Sequence, residues 1–374
     1  MKAVSYSTGT EAMRGEQPAG GIRFDGIVIA LCSWLRIGTY LDGWAHNHIP
    51  ELETFFTPWH GILYSGFFAL AVFLGVNLFK NRARGYPWKR ALPTGYELSL
   101  LGVFIFIAGG VGDLIWHELF GIEADLEALL SPTHLILALG TALIVSGPLR
   151  AAWRRPDPQR PSWAAQLPML LSLTYLLSGF TFMTQFAHPL LLTWAAKGNH
   201  PNALLLNPPP LPTLKYMAFF EQAVGVLSIL LQTGLLMGLI LLVVGRWGWK
   251  LPWGGLTLVF ALNAIGMTWM APDPYLTTGP YPLIAVAILA GLAADLLLQR
   301  LKPSVTRPVA LRLFALAVPT LFYLLYFLAL RLRGGIWWPV HVWAGTTVLA
   351  GIVGWMLSYL LVPPSTPSSD PFST

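Results

Sequence analysis

A bundle of α-helices that crosses a membrane many times is the fold class that this sequence predicts. The chain is 55% apolar and only 11% charged, it contains 16 tryptophans, and its mean hydropathy is +0.60. A water-soluble core could not absorb that much apolar surface. About ten apolar stretches also approach the roughly 20 residues that a helix needs to cross hydrocarbon. We therefore expect an all-α polytopic membrane bundle with about ten transmembrane helices.

The expected spans follow one another along the chain and end at basic or proline-containing segments such as 80–95 and 150–162. Charged side chains and proline are unfavourable inside a helix in hydrocarbon, so these segments mark loops. The eighth span is weakly marked, because it contains Asp295. In order, the expected spans are 24–42, 59–80, 96–117, 133–150, 164–186, 217–244, 253–271, 279–299, 309–330 and 339–362.

The basic, proline-rich segment after the fourth span predicts a division of the chain into two modules. We expect a four-helix module over 1–155, made of two parallel helix hairpins, and a six-helix module over 156–374. The second module contains the longest outer loop, 187–216, where consecutive prolines exclude a helix interior. Its polar C-terminal tail is expected to be disordered.

The distribution of basic residues predicts the orientation. With both termini in the cytoplasm, 18 of the 23 Lys and Arg residues fall on the inner side of the cell membrane. The net charge of +6 is then mostly this positive-inside bias, and no basic-aromatic patch suggests nucleic acid as a partner. The same topology places all eight histidines at or beyond the outer ends of helices. We expect the functional chemistry at the outer face.

One pattern occurs twice in the N-terminal module. Each copy has an Asp and a His four residues apart near the end of one predicted helix, and a Ser/Thr-Pro-x-His phrase at the start of the next. The copies run in the same direction along the chain, so they are parallel repeats. Their candidate metal ligands are Asp42, His46 and His60 in the first copy, and Asp113, His117 and His134 in the second.

The spacing explains why these residue types suit a metal ion. An Asp and a His at i and i+4 share one face of a helix. Ser or Thr is a good N-cap and Pro is favoured at the first helical position, so the last His falls in the first turn of the next helix. Two nitrogen ligands and one oxygen ligand suit copper(II), zinc or non-haem iron, and leave coordination positions open.

Two further acids stand seven residues before the final His of each copy. Glu53 and Glu127 could accept the second N–H of a ligand histidine or stabilise the helix start. A lone histidine near the membrane surface is usually only hydrogen-bonded. A duplicated arrangement favours metal binding, because ionisable groups in membranes are costly and tend to be functional.

Several isolated polar residues are weaker candidates. His188 and His341 stand at helix ends and could join a shared site. Arg36 is expected to pair with Asp42 or to extend to the outer surface. Asp295 is more typical of helix packing than of a proton path.

Across 42–134 the chain resembles the C subunit of the copper membrane monooxygenases, the particulate methane and ammonia monooxygenase group. That subunit also has two Asp/Asn-x3-His units in consecutive hairpins, each followed by a Thr-Pro-x-His-like phrase. The resemblance implies copper at the six candidate positions and oxygen-dependent hydroxylation nearby. Asp113 stands where the family typically has Asn, the second loop is longer, and six further helices have no counterpart. No periplasmic cupredoxin-like domain is present either, so the function of the family's B subunit would need another chain.

The leading hypothesis is a membrane metalloprotein that binds copper, with zinc or iron as the alternative metals, and acts as a monooxygenase-like oxidoreductase or a subunit of one. Its expected partners are the lipid bilayer, other membrane subunits and a periplasmic or extracellular copper protein. Two alternatives stay open. One is an intramembrane zinc hydrolase with Glu53 or Glu127 as the base. The other is a metal-handling permease. Whether the copies form one shared site or two separate sites also stays open.

The orientation can be tested by cysteine labelling from outside the cell in a Cys32→Ala background. A cysteine placed at position 85 or 155 should be inaccessible, because both positions fall in basic inner loops. A cysteine at 123 or 200 should be labelled. The reverse pattern would overturn both the orientation and the outer-face assignment.

Overall fold

The structure, a computed structural model, describes residues 17–49, 55–121, 123, 125–156, 162–201, 210–271 and 281–364. Helices joined by short turns make up this part of the chain. The α-helices, in chain order, are α1 (Ile22–His48), α2 (Pro58–Ala83), α3 (Glu97–Phe120), α4 (Asp125–Leu130), α5 (Pro132–Val145), α6 (Gly147–Arg154), α7 (Trp163–Met183), α8 (Leu211–Trp247), α9 (Gly255–Trp269), α10 (Pro282–Leu301), α11 (Pro308–Arg333) and α12 (Val340–Leu361).

The all-α polytopic prediction is confirmed. Among the described residues, 9 helical segments are long and apolar enough to cross a membrane, and α5 with α6 forms one of them. The remaining predicted span, 253–271, corresponds to α9. This helix has 15 residues, about 22 Å at the usual helical rise, which is less than the roughly 30 Å of hydrocarbon in a bilayer.

The predicted outer loop 187–216 is shorter than expected at its C-terminal end. Helix α8 begins at Leu211, directly after Pro210. Pro212 lies in its first turn, where a proline fits because the amide there has no helical partner. Positions 202–209 of the predicted loop and 365–374 of the predicted tail lie outside the described residues.

The chain forms two compact units. Unit 1 contains Met1–Phe186 and Leu262–Tyr281, and unit 2 contains Ala187–Ala261 and Pro282–Thr374, so the boundary passes through α9. Helix α7 therefore belongs to unit 1, whereas the sequence division at 155 placed it in the second module.

Direct hydrogen bonds explain why α7 belongs to unit 1. The Ser172 hydroxyl of α7 donates to the Val145 carbonyl at 2.5 Å and accepts from the Leu149 amide at 3.2 Å. The Tyr175 hydroxyl lies 2.6 Å from the Ser33 hydroxyl of α1. Such pairing between helices depends on the packing of particular side chains, and a loop composition does not specify it.

Glycines bring the helices of each hairpin into close contact. A Cβ atom at Gly38 of α1 would lie 2.5 Å from the Leu63 backbone of α2, and one at Gly66 would lie 2.8 Å from the α1 backbone. In the second hairpin, a Cβ at Gly102 of α3 would lie 2.7 Å from the Gly140 carbonyl of α5. Small residues of this kind allow membrane helices to approach closely. The close approach holds the polar ends of both hairpins in fixed positions.

Asp295 of α10 caps the start of α9 within unit 2. Its carboxylate is fully buried and accepts from the Leu256 amide at 3.1 Å and from the Thr257 amide at 2.9 Å. The Thr257 hydroxyl donates to the same carboxylate at 2.6 Å. The first amides of a helix have no partner within the helix, so an acid from a neighbouring helix satisfies them here. Asp295 has a packing role.

Replacing Asp295 by Ala should lower the free energy of unfolding by about 1–3 kcal/mol, because two buried amides lose their acceptor. Asp295→Asn keeps one acceptor oxygen and should cost less. Both variants can be compared by reversible denaturant titration in mixed micelles. Unfolding of Asp295→Ala at the wild-type midpoint would contradict the capping role.

Candidate metal centre

The end of α1 and the start of α2 bring together Asp42, His46 and His60, called here the Asp42 group. Asp42 and His46 are one turn apart on α1. The Thr57 hydroxyl accepts from the His60 amide at 3.2 Å, and Pro58 occupies the first position of α2. This cap starts the helix at a fixed residue, so His60 falls in its first turn, as the sequence predicts.

Three ligand atoms converge in the Asp42 group. The His60 Nε2 atom lies 3.2 Å from the Asp42 Oδ1 atom. One ligand atom from each of the three residues can be chosen so that all lie within 4.8 Å of one another. The other ring nitrogen of His60, Nδ1, is hydrogen-bonded to the Phe55 carbonyl. His60 is buried, and Asp42 and His46 are half-buried.

The second copy forms a matching cluster, the Asp113 group, from Asp113, His117 and His134. Its ligand atoms also lie within 4.8 Å of one another. The His134 Nε2 atom is 3.2 Å from Asp113 Oδ1, and the His117 Nε2 atom is 3.7 Å from Asp113 Oδ2. The Ser131 hydroxyl accepts from the His134 amide at 3.4 Å and caps α5 in the same way as Thr57 caps α2.

Neighbouring oxygens fix the orientation of the Asp113 group. The Thr133 hydroxyl donates to Asp113 Oδ1 at 2.9 Å, and the Ser131 hydroxyl lies 2.8 Å from His134 Nδ1. His117 Nδ1 faces the Gly121 carbonyl at 3.2 Å and the Glu123 Oε2 atom at 3.4 Å. Partners of this kind set the tautomer and ring orientation of metal-ligating histidines.

The distances fit a shared ion. With metal–ligand bonds of roughly 2.0–2.2 Å, neighbouring ligand atoms lie about 3.0–3.5 Å apart. Both groups contain an Asp–His separation of 3.2 Å. The same separation also suits a protonated histidine paired with a carboxylate.

Both groups border one cavity of about 420 Å³ in unit 1. The structure thus forms two separate three-residue clusters that share a cavity. The Phe55 ring lies near both, 4.8 Å from the His60 ring and 6.0 Å from the His117 ring between centroids. Most of the remaining lining is apolar, including Leu63, Phe106, Leu137, Leu176 and Phe182.

The structure describes one of the two acids that were predicted to support the ligands. Glu53 lies outside the described residues, and Glu127 is exposed. The second ring nitrogens of His60 and His117 instead face the Phe55 carbonyl and the Gly121–Glu123 segment. Glu123 was not predicted, because it lies in an irregular loop where no spacing along a helix marks it.

Thr133 was missed for a different reason. It occupies the position between Pro and His where the first copy has Trp59. Because the two copies differ at this position, their shared pattern does not include Thr133.

Three other histidines have separate environments. His48 Nδ1 lies 2.8 Å from the Trp44 carbonyl and its Nε2 lies 3.0 Å from the Ala271 carbonyl. His341 is exposed. The His200 ring packs edge-on against Trp337. None of the three belongs to the two groups formed by the described residues.

Arg36 has neither of its expected environments. Its side chain is 6% exposed and borders the cavity, and its Nη2 atom donates to the Tyr175 carbonyl at 3.0 Å. Among the described residues it forms no ion pair with Asp42. The guanidinium lies inside the bundle and does not extend to the surface.

The site as a whole offers two three-residue ligand sets beside an apolar cavity. Each set has two imidazoles and one carboxylate, a combination that binds divalent transition metals and leaves positions open. Comparisons of the chain with protein-family models, with curated proteins and with solved structures found no match.

His188, a candidate extra ligand, is a buried structural residue of unit 2. Its side chain is 4% exposed, and its Nδ1 atom accepts from the Leu190 amide at 3.2 Å. Burial lowers the pKa of His188 to about 3. The ring is therefore neutral at neutral pH, and its proton is on Nε2.

This neutral histidine predicts acid sensitivity. Between about pH 6.5, the ordinary histidine pKa, and the folded pKa of about 3, the unfolded chain binds a proton that the folded chain does not. Stability is thus complete above pH 6.5 and falls with pH, by roughly 1.4 kcal/mol per unit from this residue. Unfolding midpoints at pH 7.5 and 4.5 should differ less in His188→Gln than in the wild type. The exposed-site variant His341→Gln should keep the wild-type difference, and an unchanged difference in His188→Gln would contradict the assignment.

Proposed function

We propose that this protein is a membrane-embedded copper protein in which the Asp42 group and the Asp113 group each bind one ion. We further propose that it takes part in the oxygen-dependent oxidation of a small apolar substrate, as an enzyme or as a subunit of one. The convergence of the six predicted residues into two clusters beside an apolar cavity supports this proposal.

The observation on which the proposal depends is the environment of the histidine ring nitrogens. In His60, Nδ1 faces the Phe55 carbonyl and Nε2 faces Asp42. In His117, Nδ1 faces the Gly121 carbonyl and Nε2 faces Asp113. A neutral imidazole has one N–H, so it can donate to only one of these oxygens. When Nδ1 donates, the Nε2 lone pair points at a carboxylate, and a cation between them removes the repulsion.

Protonation of both histidines would remove the same repulsion, but in the Asp113 group it would place two cations close together. His117 and His134 both direct Nε2 toward the one Asp113 carboxylate. Two imidazolium ions beside it would repel each other, and their rings are only 5.8 Å apart between centroids. A divalent ion accepts both nitrogens and the carboxylate without this repulsion. A divalent ion therefore suits the Asp113 group better than two charged histidines would.

Copper is the preferred metal because of the ligand set and the resemblance together. Two nitrogens and one oxygen suit copper(II), and also zinc and non-haem iron. The duplicated pattern over 42–134 is similar to that of the copper membrane monooxygenase C subunit. The lone cysteine, Cys32, is buried in the apolar core of unit 1, so neither group includes a thiolate.

The protein's own residues would hold and shield the ions. Thr133 orients the Asp113 carboxylate, and the Phe55 carbonyl fixes the His60 tautomer with Nε2 free to bind. The apolar cavity would exclude bulk water and admit substrates that dissolve in the membrane. Copper, when bound, would supply redox chemistry with oxygen. Electrons would come from another protein, which is consistent with membrane subunits or an external copper protein as partners.

The proposed location is the cell membrane, with both termini in the cytoplasm and the two groups at the outer face. Both groups lie where the first helix of a hairpin ends and the second begins. The basic segments predicted to be cytoplasmic follow the opposite helix ends. An external copper protein could therefore reach the groups without crossing the membrane.

Elemental analysis of the protein purified in nanodiscs tests the proposal. We expect copper in the wild type, and loss of about half of it in His60→Ala, because the Asp113 group remains intact. His46→Ala should lose as much as His60→Ala, and His134→Ala as much as His117→Ala, because both histidines of each group contribute a ligand.

The exposed-site variant His341→Ala is the matched control and should keep full copper at equal folded yield. Full metal content in a variant lacking His46, His60, His117 and His134 would refute the metal sites. Stoichiometric zinc without copper would instead refute the oxidative function and favour the hydrolase alternative.

A further inference from the structure

Arg36 is a buried cation without a counter-ion among the described residues. Its guanidinium is 6% exposed and makes one hydrogen bond, from Nη2 to the Tyr175 backbone carbonyl at 3.0 Å. Its Nε atom is buried with no hydrogen-bond partner. Asp25 of the same unit, by contrast, contacts Arg155 at 2.6 Å and the Tyr96 hydroxyl at 2.7 Å.

An unpaired guanidinium in a membrane helix is costly. Charged residues within transmembrane segments are rare, and they usually pair with one another or mark a ligand pathway. Removal of the partner of a buried charge strongly destabilises a protein, because the charge is left uncompensated. The chain keeps Arg36 buried within α1 beside a cavity, and this position favours a ligand as the missing anion.

The cavity beside Arg36 has the size and lining of a small-molecule site. Its volume of about 420 Å³ falls within the roughly 300–1,000 Å³ typical of ligand pockets. Apart from Arg36 and the two Asp/His groups, most of its wall is apolar, with Leu63, Leu137 and Phe182 among the lining residues. A compound that fills it must therefore combine an apolar body with a group that binds a guanidinium.

We propose that this cavity binds a compound with a carboxylate and an apolar chain, with the carboxylate on the Arg36 guanidinium and the chain directed toward the two Asp/His groups. A guanidinium matches a carboxylate through parallel N–H donors. The apolar chain replaces the contacts that the lining would otherwise make with lipid or water.

The position of Arg36 suits an anchor for the end of the ligand that does not react. Along α1, Asp42 lies about 9 Å and His46 about 15 Å beyond Arg36 at the usual helical rise. A chain of intermediate length would therefore place its far end beside the ligand groups. This part of the inference, that the far end is the reacting end, rests on the proposed oxidative function, whereas the binding itself does not.

Equilibrium binding of radiolabelled decanoate to the protein in nanodiscs tests the inference, with empty nanodiscs subtracted. We expect saturable binding at one site per chain. Arg36→Gln should weaken it at least tenfold, and Arg36→Lys should weaken it less, because Lys keeps the charge but loses the paired donors. Arg312→Gln is the matched control, because Arg312 also has a buried, unpartnered Nε atom but lies in unit 2. It should bind decanoate like the wild type.

A second variant tests the cavity without changing Arg36, so the inference can be tested even if Arg36→Gln fails to fold. Ala138 lines the cavity, so Ala138→Phe should fill it and abolish saturable decanoate binding. The inference would be overturned if Arg36→Gln bound decanoate as tightly as the wild type. It would also be overturned if decanol bound as tightly as decanoate and its binding did not depend on Arg36.

Metal content separates the two proposals. Arg36→Gln should lose decanoate and keep copper, whereas the variant lacking the four histidines should lose copper and keep decanoate. Decanoate binding without copper would refute only the proposed function. Copper without Arg36-dependent binding would refute only this inference.

Discussion

The start of the second helix in each hairpin is the constraint on which the whole site depends. A hydroxyl accepts the amide of the histidine three residues later, at Thr57 in one hairpin and at Ser131 in the other. Proline then occupies the first helical position in both. Because the cap and the proline fix the first turn, the histidine side chain faces the end of the preceding helix. Without this fixed start, the Asp and His of the first helix would lack their third partner.

The two copies share this constraint but differ in how firmly they hold their carboxylates. Asp113 is 1% exposed, is contacted by both histidines and accepts a hydrogen bond from Thr133. Asp42 is half-buried, and its closest contact is with His60. The Thr133 hydrogen bond has no counterpart in the first copy, because Trp59 stands at that position. The Asp113 carboxylate thus has more partners and is more deeply buried than the Asp42 carboxylate.

Asp295 and Asp25 each have several polar partners within their own unit, whereas Arg36 has a single backbone acceptor. Asp295 satisfies the first amides of α9, and Asp25 pairs with Arg155 and Tyr96. In hydrocarbon no water is available to satisfy such groups, so the protein must supply the partners. Arg36 receives only a backbone carbonyl and borders the cavity. A cation left in this state is more consistent with a role in ligand binding than with packing.

The sequence alone determined the fold class, the spans and the six residues that converge. Hydropathy over about 20 residues depends only on composition, and the ligand positions depend on spacing along single helices and on local caps. For the same reason the start of α8 was missed, since the prolines near Leu211 argue equally for a loop and for a helix start. Only the tertiary structure decided that α7 packs within unit 1, that the copies form two clusters beside one cavity, and that Glu123 and Thr133 support the ligands. These features depend on contacts between residues that are distant in sequence, or on residues in irregular loops. Neither hydrophobic periodicity nor a helix cap predicts such contacts.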